Sequence, residues 1–145
     1  MRVYLDNCAL NRPSDDQNQS RIHRESEAIQ RIREIIICGD IELVWSYVID
    51  VENNRNPFPS RRSEVDDWRI LSGVEVAPSL EIVSNAIDLR NIGFKEVDSL
   101  HISCAMAAKS NYFITTDDGI LKKSTLVADV RSIGPTDFLK LVDRL

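Results

Sequence analysis

Short apolar runs alternate along this chain with longer stretches in which apolar residues recur every three or four positions. Val3 and Leu5, within Met1 to Asn7, read as a buried strand, and Asp6 sits where that strand stops. A polar loop is expected from Asn7 to about Ser20, holding Asn11-Arg12-Pro13 and Asp15-Asp16-Gln17. Ile22, Ala28, Ile29, Ile32, Ile35 and Ile36 then follow a helical period that Gly39 closes. Ile41 to Trp45 predicts a second strand, and Ser46 caps a helix over Tyr47 to Glu52 that the Asn53 to Pro59 segment stops. A further helix from Ser60 carries Val65, Trp68 and Leu71, and Val74 to Ala77 predicts a short strand. Ser79 caps a helix with Ile82, Val83, Ala86, Ile87 and Leu89, ended by Gly93. Lys95 to Lys109 predicts the most buried helix, because Leu100, Ile102 and Cys104 to Ala108 leave little polar surface. Tyr112 to Thr115 is a buried strand with its turn at Asp117-Asp118-Gly119. Leu126 to Ile133 contains a last strand, before a helix from Pro135 or Thr136. Strands separated by helices throughout predict an α/β fold, three layers deep, with a mainly parallel sheet.

Length changes this picture little: 145 residues fit one domain, 1–145, and 43% hydrophobic against 28% charged residues is ordinary for a globular chain. The longest apolar runs, such as Ile35 to Cys38, are too short to span a bilayer. Met1-Arg2-Val3 leads into a strand without the apolar stretch of a signal peptide, so a cytoplasmic protein is expected. Cys8, Cys38 and Cys104 fit no zinc spacing, and reduced core thiols are expected, the latter two in apolar surroundings. A formal charge of −5 excludes holding nucleic acid by bulk positive charge, though not by local basic contacts.

Candidate chemistry lies in the acids. Asp6 ends the first strand, Glu52 lies in the helix after the second, Asp98 sits in the first turn of the buried helix, and Asp117 ends the strand that follows. Open α/β sheets put their sites at the carboxyl ends of strands. Each acid also has a mundane reading: Asp6 and Asp117 as turn residues, Asp98 at a helix N-terminus and Glu52 as a solvated helix residue. Asp50 and Glu52 point to different sides of one helix, and Glu52 is the better inward candidate. Carboxylates gathered at one edge repel one another, and a divalent cation removes that cost. Oxygen ligands suit Mg²⁺ or Mn²⁺, and a hydrated ion so held is suited to phosphodiester hydrolysis.

The chain resembles the PIN-domain family, on Val3-Tyr4-Leu5-Asp6-Asn7, on Ser46 with Glu52, on Val97-Asp98-Ser99-Leu100-His101-Ile102-Ser103-Cys104-Ala105, and on Phe113-Ile114-Thr115-Thr116-Asp117. The resemblance implies that Asp6, Glu52, Asp98 and Asp117 form an acidic quartet that holds Mg²⁺ or Mn²⁺ and cleaves RNA, leaving a 5′-phosphate and a 3′-hydroxyl. It further implies the toxin half of a toxin–antitoxin pair, with an antitoxin protein and a second copy of the chain as candidate partners. A catalytically silent PIN scaffold that binds protein or RNA is the alternative. A phosphoacceptor regulatory domain is disfavoured, since Asp6 and Asn7 follow the very first strand along the chain and no lysine ends a late strand.

The doubled Asp117-Asp118 leaves open which acid is the ligand, with the position after Thr-Thr favouring Asp117. Among basic residues flanking the acids, Arg12 and Arg55 are the best candidates for RNA phosphates. Asn7 and Ser99 are expected to make local turn and cap bonds, Thr115 and Thr116 need no role beyond ending a strand, and His101 is expected to be a buried, hydrogen-bonded histidine. Trp45 and Trp68 are expected in the core.

Overall fold

In the computed structural model, which describes residues 1–143, five strands form one parallel sheet. Strand β1 (Arg2–Leu5) is followed by α1 (Asn7–Asn11), a 3-10 turn at Arg12–Ser14 and the long α2 (Ser20–Ile37). Then come β2 (Glu42–Ser46), α3 (Tyr47–Asn54), α4 (Pro59–Arg69) and β3 (Ser72–Val76). The second half contains α5 (Leu80–Asn91), α6 (Glu96–Ala107), β4 (Tyr112–Ile114), α7 (Asp118–Leu121), a 3-10 turn at Ser124–Leu126, β5 (Arg131–Ile133) and α8 (Pro135–Val142). The strand order is β3-β2-β1-β4-β5. Helix α2 packs on α8, and α5 packs on α6, which gives the sheet its two helical layers. No described helix is long and apolar enough to cross a membrane.

Local chemistry sets most boundaries. Ser46 and Ser79 accept the Ile49 and Ile82 N–H groups and start α3 and α5. Gly39 and Gly93 end α2 and α5 with φ of +86° and +111°, values that only glycine adopts without strain. Val3, Tyr4 and Leu5 are fully buried, as expected of a central parallel strand covered on both faces. Tyr4 stacks on Phe113 with ring centroids 5.4 Å apart, and Trp45 and Trp68 both lie in the core.

Three expectations are corrected. The segment after Asp6 is not wholly loop: α1 buries Ala9, Leu10 and Asn11, and five residues are too few to display a helical period. Asp117 to Gly119 is not a bare turn but the start of α7, with Asp117 as its N-cap. Cys38 is exposed rather than buried, because at the C-cap of α2 the chain has already rotated past the core-facing Ile35 and Ile36. Cys104 is buried, Cys8 is partly buried, and all three thiols are free.

Strand order creates the site. From β1 the chain builds outward through β2 to β3, then returns across to β4 on the other side of β1. The direction reverses between β1 and β4, and in open α/β sheets the crevice beyond such a reversal is where ligands bind. Asp6 follows β1 directly, and Asp117 lies three residues beyond the end of β4.

Candidate metal centre

Asp6 is held rigidly at the end of β1. It is 5% exposed, its Oδ1 accepts the Asn7 N–H at 2.7 Å, and its Oδ2 accepts the Thr115 hydroxyl at 2.9 Å and the Cys8 thiol at 3.3 Å. Thr115, fully buried, also accepts the Asp117 N–H at 3.1 Å, so one hydroxyl couples the ends of the two central strands. Asp117 accepts from Gly119 N–H at 2.8 Å and Ile120 N–H at 3.4 Å. Gly119 leaves room for this approach, since a Cβ there would lie 3.0 Å from Asp117 Oδ1 and press on it.

Asp118 is engaged elsewhere: Arg21 donates to both of its oxygens at 2.8 and 2.9 Å, and these hydrogen bonds hold its carboxyl below the usual range. Helix α3 turns Asp50 toward Trp45, whose Nε1–H it accepts at 2.9 Å, and turns Glu52 toward His101, with Glu52 Oε1 3.4 Å from His101 Nε2. Asp6 Oδ1 lies 3.9 Å from the same nitrogen. Asp6, Glu52 and His101 each offer a ligand atom, and these atoms all lie within 4.8 Å of one another.

Asp98 and Asp117 stand outside that tight set. Asp98 is nonetheless coupled to it: burial first, and then the charges of Asp6 and Asp117, push its carboxyl up to about 6 against smaller opposing effects of His101 and Lys95. A carboxyl raised by the charges of neighbouring carboxylates belongs to a donor set suited to a cation, and hard oxygen ligands fit Mg²⁺ or Mn²⁺.

His101 is fully buried in α6, and its Nδ1 lies 2.6 Å from the Tyr4 hydroxyl, which lies 2.6 Å from Ser46 Oγ. Burial alone would push the imidazole pKa down, but the hydrogen bond to Glu52 and the charges of Asp6, Glu52 and Asp98 hold it above its ordinary value. Two features here escape sequence reading. Thr115 is a bridge between acids rather than only a strand end, and Tyr4 links His101 to Ser46. The available signal for Tyr4 was a phenol within a strand of apolar neighbours, since a buried hydroxyl requires a partner. Ser99 makes the expected local bond, to the Lys95 carbonyl at 2.8 Å, and Asn7 donates its backbone N–H to Asp6.

The basic candidates separate. Arg12 is largely buried and engaged by Asp15 at 3.1 Å and Glu25 at 3.2 Å. Arg55 is exposed, without an ion pair among the described residues, and lines a cleft of about 370 Å³ with Glu52, Val48, Val97 and Leu100.

A chain in the crystal structure of VapBC2 from Rickettsia felis bound to a DNA fragment from their promoter has the same fold as this one. The TM-score is 0.58 at 11% identity, covering 92% of this chain and 98% of that one. No curated protein matches the sequence. The PIN domain matches residues 3–125, a span that runs from β1 through α7 and contains all four acids. The chain therefore belongs to the PIN domain family.

Proposed function

We propose that this chain is a metal-dependent endoribonuclease, working as the toxin of a toxin–antitoxin pair in the cytoplasm. The observation that carries the reading is the electrostatic coupling of acids far apart in sequence: Asp6 and Asp117 both raise Asp98, while Asp6 and Glu52 share His101. Asp6, Glu52, Asp98 and Asp117 would hold Mg²⁺ or Mn²⁺. When bound, the ion supplies promotion of water ionisation and neutralisation of charge developing on the phosphate.

The remaining work falls to the chain itself. Thr115 and the Asn7 N–H fix the Asp6 carboxylate, and the backbone N–H groups of α7 fix Asp117. Arg55, beside Glu52 in the α3–α6 cleft, is suited to an RNA phosphate. Arg12 serves the same end indirectly, by holding the segment after α1 against α2 through Glu25. The VapBC2 likeness supports an antitoxin protein as partner. Leu80, Val83 and Ile87, exposed at one-turn intervals along α5, support pairing with a second copy.

The test is RNA cleavage in Mn²⁺ by Asp6→Asn. A fall of roughly 10²-fold or more is expected, the size found when one group stabilising developing charge is removed. Cleavage at the parent rate would overturn the proposal. Calorimetric titration with Mn²⁺ separates it from a silent scaffold, which would show no binding site that Asp98→Asn abolishes.

A further inference from the structure

Resting on the metal-centre reading above, we propose that His101 Nε2 is a ligand of the same cation as Asp6 and Glu52, so that the centre is mixed carboxylate–imidazole and prefers Mn²⁺ over Mg²⁺. Three observations carry this. Nε2 is one of three ligand atoms within 4.8 Å of one another, in a group drawn from a strand end and two helices. The ring itself is fully buried and fixed, edge-on to Tyr4 at 5.7 Å between centroids. Its other nitrogen, Nδ1, has the outer partner that ligating histidines almost always have, the Tyr4 hydroxyl at 2.6 Å.

The hydroxyl chain behind the ring allows Nε2 to present a lone pair. Ligation by Nε2 requires the proton on Nδ1, which then donates to the Tyr4 oxygen. Tyr4 O–H in turn donates to Ser46 Oγ, at 2.6 Å, an oxygen that also accepts the Ile49 N–H. In the opposite sense Ser46 O–H donates to Tyr4, Tyr4 donates to Nδ1, and Nε2–H faces Glu52. Exchanging the two arrangements requires rotation of both hydroxyls and relocation of the ring proton from Nε2 to Nδ1, and a cation at Nε2 selects the first. Burial keeps Tyr4 a neutral phenol, able to take either part. Imidazole nitrogen suits transition ions, whereas Mg²⁺ favours all-oxygen shells.

Pulsed electron paramagnetic resonance of Mn²⁺ bound to the full chain tests the assignment directly. Nitrogen-14 coupling is expected in the parent and in His23→Gln, which removes the only other histidine, and is expected to vanish in His101→Gln. Calorimetry should show Mn²⁺ affinity falling at least about tenfold in His101→Gln, with Mg²⁺ affinity falling less. The coupling readout in the parent does not depend on any variant folding. Tyr4→Phe, which keeps the imidazole, should retain the coupling but weaken Mn²⁺ binding by about tenfold. Mn²⁺ bound at a site that Asp98→Asn abolishes, without nitrogen coupling, would overturn the ligand assignment and leave the nuclease reading standing. No such Mn²⁺ site at all would overturn both.

Discussion

Replacing Thr115 with valine isolates the hydroxyl that joins the two central strands. Valine keeps the volume and the β-branch that suit a strand end, so the change removes the hydroxyl's bonds to Asp6 Oδ2 at 2.9 Å, from Asp117 N–H at 3.1 Å and with Cys8 Sγ at 3.4 Å. A hydrogen bond to a charged group contributes about 1.5–3 kcal/mol, and an orphaned buried donor costs about 1–3 kcal/mol. Asp6 retains its bonds from Asn7 and Cys8, and Asp117 is partly exposed, so water recovers part of the loss. A net destabilisation of about 2–4 kcal/mol is expected, which for a chain of this size lowers Tm by roughly 5–15 °C. If Asp6 holds the cation as proposed, the hydroxyl orients that carboxylate from behind, and Mn²⁺ affinity should fall by about 10- to 100-fold. Circular dichroism melts with and without Mn²⁺, together with calorimetric titration, measure both quantities. Thr115→Ser, which keeps the oxygen, should retain parental Mn²⁺ affinity while losing a buried methyl. A Thr115→Val protein melting within 1 °C of the parent, with unchanged Mn²⁺ affinity, would refute the claim that this hydroxyl organises the site.

Other outcomes follow from single contacts. Gly119→Ala puts a methyl 3.0 Å from Asp117 Oδ1, and should lower RNA cleavage about tenfold or more with little change in the circular dichroism spectrum. Asp117→Asn should abolish cleavage, whereas Asp118→Asn, which weakens only the exposed pair with Arg21, should leave both cleavage and Tm close to parental. Arg55→Ala should raise the RNA KM with a smaller effect on kcat and should weaken the salt dependence of binding. Toward a disulfide reagent at pH 8, exposed Cys38 should react first. Cys104, buried and pushed up to about 11 chiefly by that burial, should react only on unfolding.

Much of this architecture is legible in the residues alone, for identifiable reasons. Long elements announce themselves: α2 repeats its isoleucines at helical spacing, and Ser46, Ser79, Gly39 and Gly93 mark ends through local bonds and backbone angles that depend on few neighbours. Elements of five residues or fewer carry no period, which hid α1 and α7. The position after Thr-Thr already favoured Asp117, whereas the pairing of Asp118 with Arg21, 97 residues away, has no local signal. The partners of Thr115 and Tyr4 have no local signal either, since Asp6 and His101 are 109 and 97 positions distant. Arg12, a candidate for RNA phosphates on its place in the sequence, is engaged by Glu25 on α2 and by the neighbouring Asp15, and the Glu25 contact has no local signal.

The central place of β1 governs when this protein becomes dangerous to its own cell, if it cuts RNA. The strand that carries Asp6 is made first, yet one of its two flanking neighbours, β4, arrives more than 100 residues later, and Asp117 later still. At elongation rates of about 5–20 residues per second, roughly 5–20 s separate translation of the first acid from that of the last. Throughout that interval the nascent chain lacks the second wall of its crevice, so under the proposed reading it cannot attack the message that encodes it. Truncation before Phe113 should yield fragments that are innocuous for the same reason.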